Sequence, residues 1–165
     1  SLAEGEPLAV LALGAIWVGA EIASAEIVGA VTGMPPVGLG DPEAEAAGAR
    51  AARAAADADA LALVERFGAP QTGVLVGLIL GAASMNIAVV LDGHATGAAA
   101  LVAAKLAPAA AGYLVAAHRG NGTMPAALAH LGLEPIFEVG LGHGEGAGAA
   151  MVLPLVDQVA SLVRE

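Results

Sequence analysis

The sequence predicts an α/β domain of three layers, a mainly parallel sheet of at least four strands with helices on both faces. Three observations carry this. Apolar runs of strand length alternate with runs of helix length along the chain, the pattern of parallel strands joined by crossover helices. Each strand-like run ends in glycine or a polar cluster, as strands do where they leave a sheet. The length of 165 residues is enough for one domain with its own core, so residues 1–165 are expected to form a single α/β domain.

The elements follow in order. Leu8 to Leu13 is a continuous apolar run ending at Gly14, read as a strand buried on both faces. Gly14 to Gly19 is a turn. Ala20 to Val31 reads as a helix stopped by Thr32-Gly33-Met34-Pro35-Pro36. After the loop Gly38 to Asp41, Pro42 to Phe67 is alanine-rich and reads as one helix. Asp41 is placed to cap it and Pro42 occupies its first position. Its charges, among them Glu43, Glu45, Arg50, Arg53 and Glu65, form a solvated face. Thr72 to Ala83 is a buried helix and Ile87 to Leu91 a second strand, ending at Asp92-Gly93. Thr96 to Leu106 is a helix closed by Pro108. Tyr113 to Ala117 is a third strand, ending at His118-Arg119-Gly120. Pro125 to Leu131 is a short helix, Ile136 to Val139 a fourth strand, and Val152 to Val163 the last helix, with Pro154 near its start or kinking it.

Composition narrows the function. Six basic residues stand against sixteen acidic ones and aromatic content is 2%, so no nucleic-acid partner is expected. There is no cysteine, hence no disulfide framework and no thiolate zinc site. His94, His118, His130 and His143 lack the spacing of a metal site, and neither metal nor cofactor is expected. Phe67 to Leu91 is uncharged and long enough to span a bilayer. Yet Gly68, Pro70 and Gly73 break its start, Ser84-Met85-Asn86 interrupts it, and no aromatic belt or basic cluster flanks it. Much of the mean hydropathy of +0.77 comes from alanine. Ser1 to Pro7 holds two glutamates and no basic residue, unlike a signal peptide. The expectation is a cytoplasmic protein without a membrane partner. The surplus of apolar residues suggests a homo-oligomer.

In a parallel sheet the strand C-termini share one edge, and ligands bind outside it. Gly14, Asp92-Gly93, His118-Arg119-Gly120 and Gly144-Glu145-Gly146 should therefore face one crevice. Glu145 lies in the glycine-rich stretch Gly142 to Ala150, where a ligand can approach the backbone closely and a following helix aims its N–H groups at the turn. A carboxylate placed there can take a proton from a bound substrate. The plain alternative is a strand-to-helix turn with a solvent-exposed glutamate. His118 and His143 fall at strand ends, where a structural hydrogen bond is the simpler role. Trp17 either caps a pocket or packs, and the four methionines are core filler.

Taken together, these segments resemble the nicotinate-nucleotide–dimethylbenzimidazole phosphoribosyltransferase family of cobalamin biosynthesis. The likeness rests on Val89 to Gly93 followed by Thr96 and the helix to Pro108. It rests also on Tyr113 to Arg119, and on Leu131 to Pro135 followed by Gly140-Leu141 and Gly144 to Ala149. These match the C-terminal, catalytic-glutamate portion; the family's N-terminal half has no counterpart in these residues. The resemblance implies that Glu145 is the general base, taking the proton from a benzimidazole nitrogen as that nitrogen attacks the ribose C1′ of nicotinate mononucleotide and nicotinate leaves. It implies a substrate-binding role for Gly14, Gly19, Asp92, Gly93, His118, Arg119, Gly120, Gly144 and Gly146, small-molecule partners (a nucleotide and an aromatic base), and a symmetric dimer.

The sequence also departs from the family. Where the family has "GEMGIGNTT", this chain has Gly14-Ala15-Ile16-Trp17-Val18-Gly19-Ala20-Glu21-Ile22, and Glu21 at a phosphate-facing helix start would repel a phosphate. The family's "GRGTG" turn is shortened to Val37 to Asp41. The lysine of the next helix is missing, with Arg50 or Arg53 nearest. Two functions stay open: an active phosphoribosyltransferase, or a non-catalytic relative serving as a nucleotide- or base-binding module or partner subunit.

Overall fold

The computed structural model describes residues 10–55, 58–139, 141 and 144–163. Its four strands are β1 (Val10–Leu13), β2 (Ala88–Leu91), β3 (Leu114–His118) and β4 (Pro135–Phe137). All pair in parallel, in the spatial order β1-β2-β3-β4. Leu13 lies opposite Leu91, Leu91 opposite Ala116, and His118 opposite Phe137, so the strand ends are brought to one edge as expected. Leu8, Ala9, Ala56, Asp57, Gly142 and His143, all part of the expected elements or turn, and Gly140 of the family-like segment lie outside the described residues.

The helices are α1 (Ala20–Thr32), α2 (Pro42–Ala54), α3 (Ala60–Phe67), α4 (Pro70–Ser84), α5 (His94–Leu106), α6 (Met124–Leu131) and α7 (Ala147–Val163). A sheet whose parallel strands follow chain order, joined by right-handed crossovers, puts its connecting helices on one face. The core has that form. Val89, Leu91, Leu114 and Ala116 point into a cluster with Ile27, Leu75, Ile79, Leu101 and Met124 from α1, α4, α5 and α6. Strand side chains alternate, so Val90 and Ala117 point the other way, where they meet Ala149 and Val152 of α7. Helices do cover both faces, but unequally: among the described residues α7 alone covers the second. Its outer residues Met151, Leu153, Leu155, Val159 and Leu162 are exposed. Met34 and Met85 are exposed as well, so of the four methionines expected as core filler only Met124 is buried.

Several boundaries differ from the sequence expectation, each with a local cause. The expected helix Pro42 to Phe67 is two helices. Asp41 caps the first, its Oδ1 accepting from the Glu43 and Ala44 N–H groups. Asp59 caps the second, its Oδ1 accepting from the Ala62 N–H at 2.9 Å; a carboxylate that caps a new helix start competes with continuing the old helix. The uncharged run Phe67 to Leu91 resolves into α4, a turn and β2. Asn86 takes a left-handed φ of 58° in that turn, and its Oδ1 accepts from the Tyr113 hydroxyl at 2.6 Å. Among the described residues no helix is long and apolar enough to cross a membrane. Tyr113 closes a 3₁₀ turn, Pro108–Tyr113, so β3 starts one residue later. β4 starts at Pro135, a position proline tolerates at a strand's first residue. The largest difference is α7, which starts five residues before Val152 and leaves Pro154 in its interior. The reason lies on another strand, as the site shows.

Candidate functional site

The turn carrying Glu145 is framed by backbone. Gly144 and Gly146 both adopt positive φ, 65° and 94°, which glycine alone adopts freely. A Cβ on Gly14, just past β1, would stand 2.2 Å from the Gly146 nitrogen, and one on Gly93, just past β2, would stand 2.3 Å from the Gly144 Cα. No side chain fits at either place. The Ala15 N–H donates to the Gly144 carbonyl at 3.0 Å. The turn is thus held against the ends of β1 and β2, with Gly144 buried and Glu145 exposed.

Behind the turn lies a buried pair. His118 at the end of β3 and Asp92 at the end of β2 are each 1% exposed, with His118 Nε2 2.6 Å from Asp92 Oδ1. The Gly120 N–H donates to His118 Nδ1 at 3.0 Å, so Nδ1 is the acceptor and Nε2 carries the proton donated to Asp92. The other carboxylate oxygen, Oδ2, accepts from the N–H groups of Gly148 at 2.8 Å and Ala149 at 3.3 Å. Asp92 therefore caps the first turn of α7 from 56 residues away. This cap, invisible to a local reading, is why α7 starts early. Gly148 is also sterically required, since a Cβ there would meet His118 Cδ2 at 2.4 Å. Arg119 turns outward: its Nε donates to the Glu138 carboxylate at 2.7 and 3.0 Å, and Nη2 also reaches it. That guanidinium holds the exposed Glu138 carboxyl below its usual range. Gly19 and Gly120 are left-handed turn residues, Gly19 directly before α1.

Two cavities open nearby. The first, about 530 Å³, is a cleft lined by Gly14, Ala15, Ile16, Trp17, Pro70, Gln71, Val74 and Leu75. Gly14 and Ala15 are the same residues that hold the Glu145 turn, so this cleft adjoins it. Trp17 both lines the cleft and packs on the main core, so the two readings of it are not exclusive. The second cavity, about 180 Å³, is lined by Glu21, Leu39, Asp41, His94, Asn121, Gly122 and Thr123. Among the described residues its lining holds two carboxylates and no Lys or Arg. Glu21 stands out in the sequence as a charge facing this site, whereas Asp41, Asn121 and Thr123 come from a loop and a helix-start turn that only the tertiary fold brings to it.

Parallel strands ending in glycine-framed turns around such cavities define an α/β fold of the kind that binds ligands at its carboxyl edge. The chain belongs to the phosphoribosyltransferase family, whose model it matches over residues 3–165. Among similar proteins are the nicotinate-nucleotide–dimethylbenzimidazole phosphoribosyltransferases of Roseiflexus castenholzii, 36% identical over 172 residues (94% of this chain, 48% of that protein), and of Chloroflexus aurantiacus, 36% identical over 143 residues (86% and 41%). The crystal structure of CobT from Thermus thermophilus superposes with a TM-score of 0.85 at 29% identity, covering 99% of this chain and 52% of that one. The chain spans about half the length of the curated relatives it matches.

Proposed function

We propose that the chain transfers a phosphoribosyl group from nicotinate mononucleotide to a benzimidazole-type base, the step that builds the lower ligand of cobalamin, with Glu145 as general base. The observation that carries this is an exposed carboxylate on a backbone-clamped turn beside an apolar cleft containing the chain's one tryptophan. A flat aromatic base suits such a cleft. The base's nitrogen lone pair forms the bond to C1′ while the C1′–N bond to the pyridine ring breaks and its electron pair leaves with nicotinate. The ring N–H proton passes to Glu145. No electrons are gained or lost overall, so the reaction needs no redox cofactor. In this reading Gly14 lines the cleft that takes a substrate, while Gly93, Gly144 and Gly146 serve it by letting the turn pack on the ends of β1 and β2. Gly19, Arg119 and Gly120 shape the neighbouring turns, and Asp92 and His118 act from beneath the turn.

The test is direct. The full chain mixed with nicotinate mononucleotide and dimethylbenzimidazole is expected to release nicotinate, followed by chromatography. No release, together with no calorimetric binding of the mononucleotide, sinks the proposal. A second reading, a non-catalytic binding module or partner subunit, is favoured by one observation: the carboxylates of Glu21 and Asp41 lining the second cavity, which oppose a phosphate. It predicts that dimethylbenzimidazole binds without turnover.

The assembly we propose is a homodimer acting in the cytoplasm. The exposed apolar face of α7 (Met151, Leu155, Val159 and Leu162) supports it, because contiguous apolar surface is costly in water. Light scattering at micromolar concentration is expected to give twice the chain mass. A monomer there would remove the dimer.

A further inference from the structure

The Glu145 turn has no side-chain anchor of its own. Gly144 and Gly146 carry no side chain, Glu145 is exposed, and α7 opens Ala147-Gly148-Ala149 with no Ser, Thr, Asn or Asp at its start. What fixes the helix start that follows the turn is Asp92. One carboxylate oxygen takes the two N–H groups at the start of α7, and the other takes the His118 Nε2–H. His118 is in turn set by the Gly120 N–H on Nδ1. The chain of contacts runs from the end of β3, through the end of β2, to the Gly148 N–H in the first turn of α7, three residues after Glu145.

We propose that Asp92 and His118 are positioning residues for Glu145, acting through the first turn of α7 rather than by contact with substrate. Their burial keeps both side chains from a ligand, and their hydrogen bonds leave the pair directed at protein. Resting on the reading of Glu145 as the base, this assigns to the buried pair the task of holding the carboxylate where the base's N–H arrives. The pair accepts in one sense only. Asp92 receives three N–H donors, so a carboxylate, with acceptor sites on both oxygens, satisfies all of them. An amide at that position has one acceptor oxygen and must aim its NH₂ either at His118 or at the α7 N–H groups. His118 cannot relieve this by changing tautomer, because Nδ1–H would then face the Gly120 N–H.

The experiment compares Asp92→Asn, His118→Leu and His118→Gln in the full chain. Nicotinate release is measured well below each variant's unfolding temperature. Gln carries an amide donor at the distance of Nε2; Leu carries none. Asp92→Asn and His118→Leu are expected to lower kcat by about tenfold to a hundredfold, the usual penalty of a misplaced catalytic group. KM for the base should change by less than about threefold, since the apolar cleft is lined by other residues. His118→Gln should recover most of kcat. Nitrogen NMR should show His118 as the Nε2–H tautomer in the unmodified chain and faster amide exchange at Gly148 and Ala149 in Asp92→Asn. The proposal is overturned if folded Asp92→Asn keeps its kcat, if Leu and Gln behave alike at position 118, or if the tautomer is Nδ1–H. If Glu145→Gln abolishes turnover while Asp92→Asn does not, this inference fails and the base assignment stands. If the unmodified chain releases no nicotinate, both fail.

Discussion

Glu145→Gln is expected to lower kcat for nicotinate release by about 10²–10⁴-fold, the usual contribution of a positioned general base, with little change in the affinity for either substrate. Glutamine keeps the length and shape of the side chain but cannot accept the proton lost by the attacking heterocycle. Because Glu145 is exposed and has no hydrogen-bond partner among the described residues, the substitution removes nothing from the fold, and its stability should stay within about 0.5 kcal/mol. Glu145→Asp sharpens the test. It keeps a carboxylate but retracts it by one methylene, and a shift of about 1 Å can cost about a hundredfold. The expected order of kcat is therefore Glu, then Asp, then Gln. Melting curves and nicotinate release on the same preparations check it. Equal activity of all three proteins would make Glu145 the plain solvent-exposed turn residue, and the phosphoribosyl reading would lose its base.

The fold was legible in the sequence because its signals are local. Strand-length apolar runs such as Val89 to Leu91 end in Asp92-Gly93, and Asp41 followed by Pro42 announces a helix start; the structure has both. The turn at Gly144 to Gly146 was legible for the same reason, as was its place at the edge of the sheet, against the residues that follow β1 and β2. What escaped the sequence depends on partners distant along the chain. The early start of α7 is set by Asp92; His118 makes the structural hydrogen bonds expected of it, but that its partners are Asp92 and the Gly120 N–H was not readable. Periodicity cannot report a cap donated from another strand. The break at Asp59 was readable in principle, since aspartate favours helix starts over helix interiors, but the alanine-rich sequence on both sides of it favours helix throughout and masks it. The anionic lining of the second cavity was half legible: Glu21 stands out in the sequence, whereas Asp41 and Thr123 reach the same cavity only through the tertiary fold.

Gly14→Ala is expected to destroy activity out of proportion to its effect on stability. Gly14 does not need glycine for its own backbone, because its φ is not in the left-handed region. It needs glycine because the added methyl would lie 2.2 Å from the Gly146 nitrogen and 2.7 Å from the Glu145 carbonyl carbon. Both are backbone atoms, which cannot rotate away as the tip of a side chain could. The 144–146 turn must move, and with it the Ala15-to-Gly144 hydrogen bond and the Glu145 carboxylate. Overpacking of this kind costs about 1–3 kcal/mol, while the displaced base should cost a hundredfold or so in kcat. Gly33→Ala is the control. Gly33 ends α1 with φ of 69° and nothing near its missing Cβ. Alanine there should cost a comparable amount, about 1–2 kcal/mol, from left-handed strain alone, with kcat per folded molecule unchanged. Denaturant titrations paired with nicotinate release at a temperature where both variants are folded separate the two effects. Were Gly33→Ala to lose as much activity as Gly14→Ala, turnover would be following global stability, and the close packing of Gly14 against the turn would have no part in presenting Glu145.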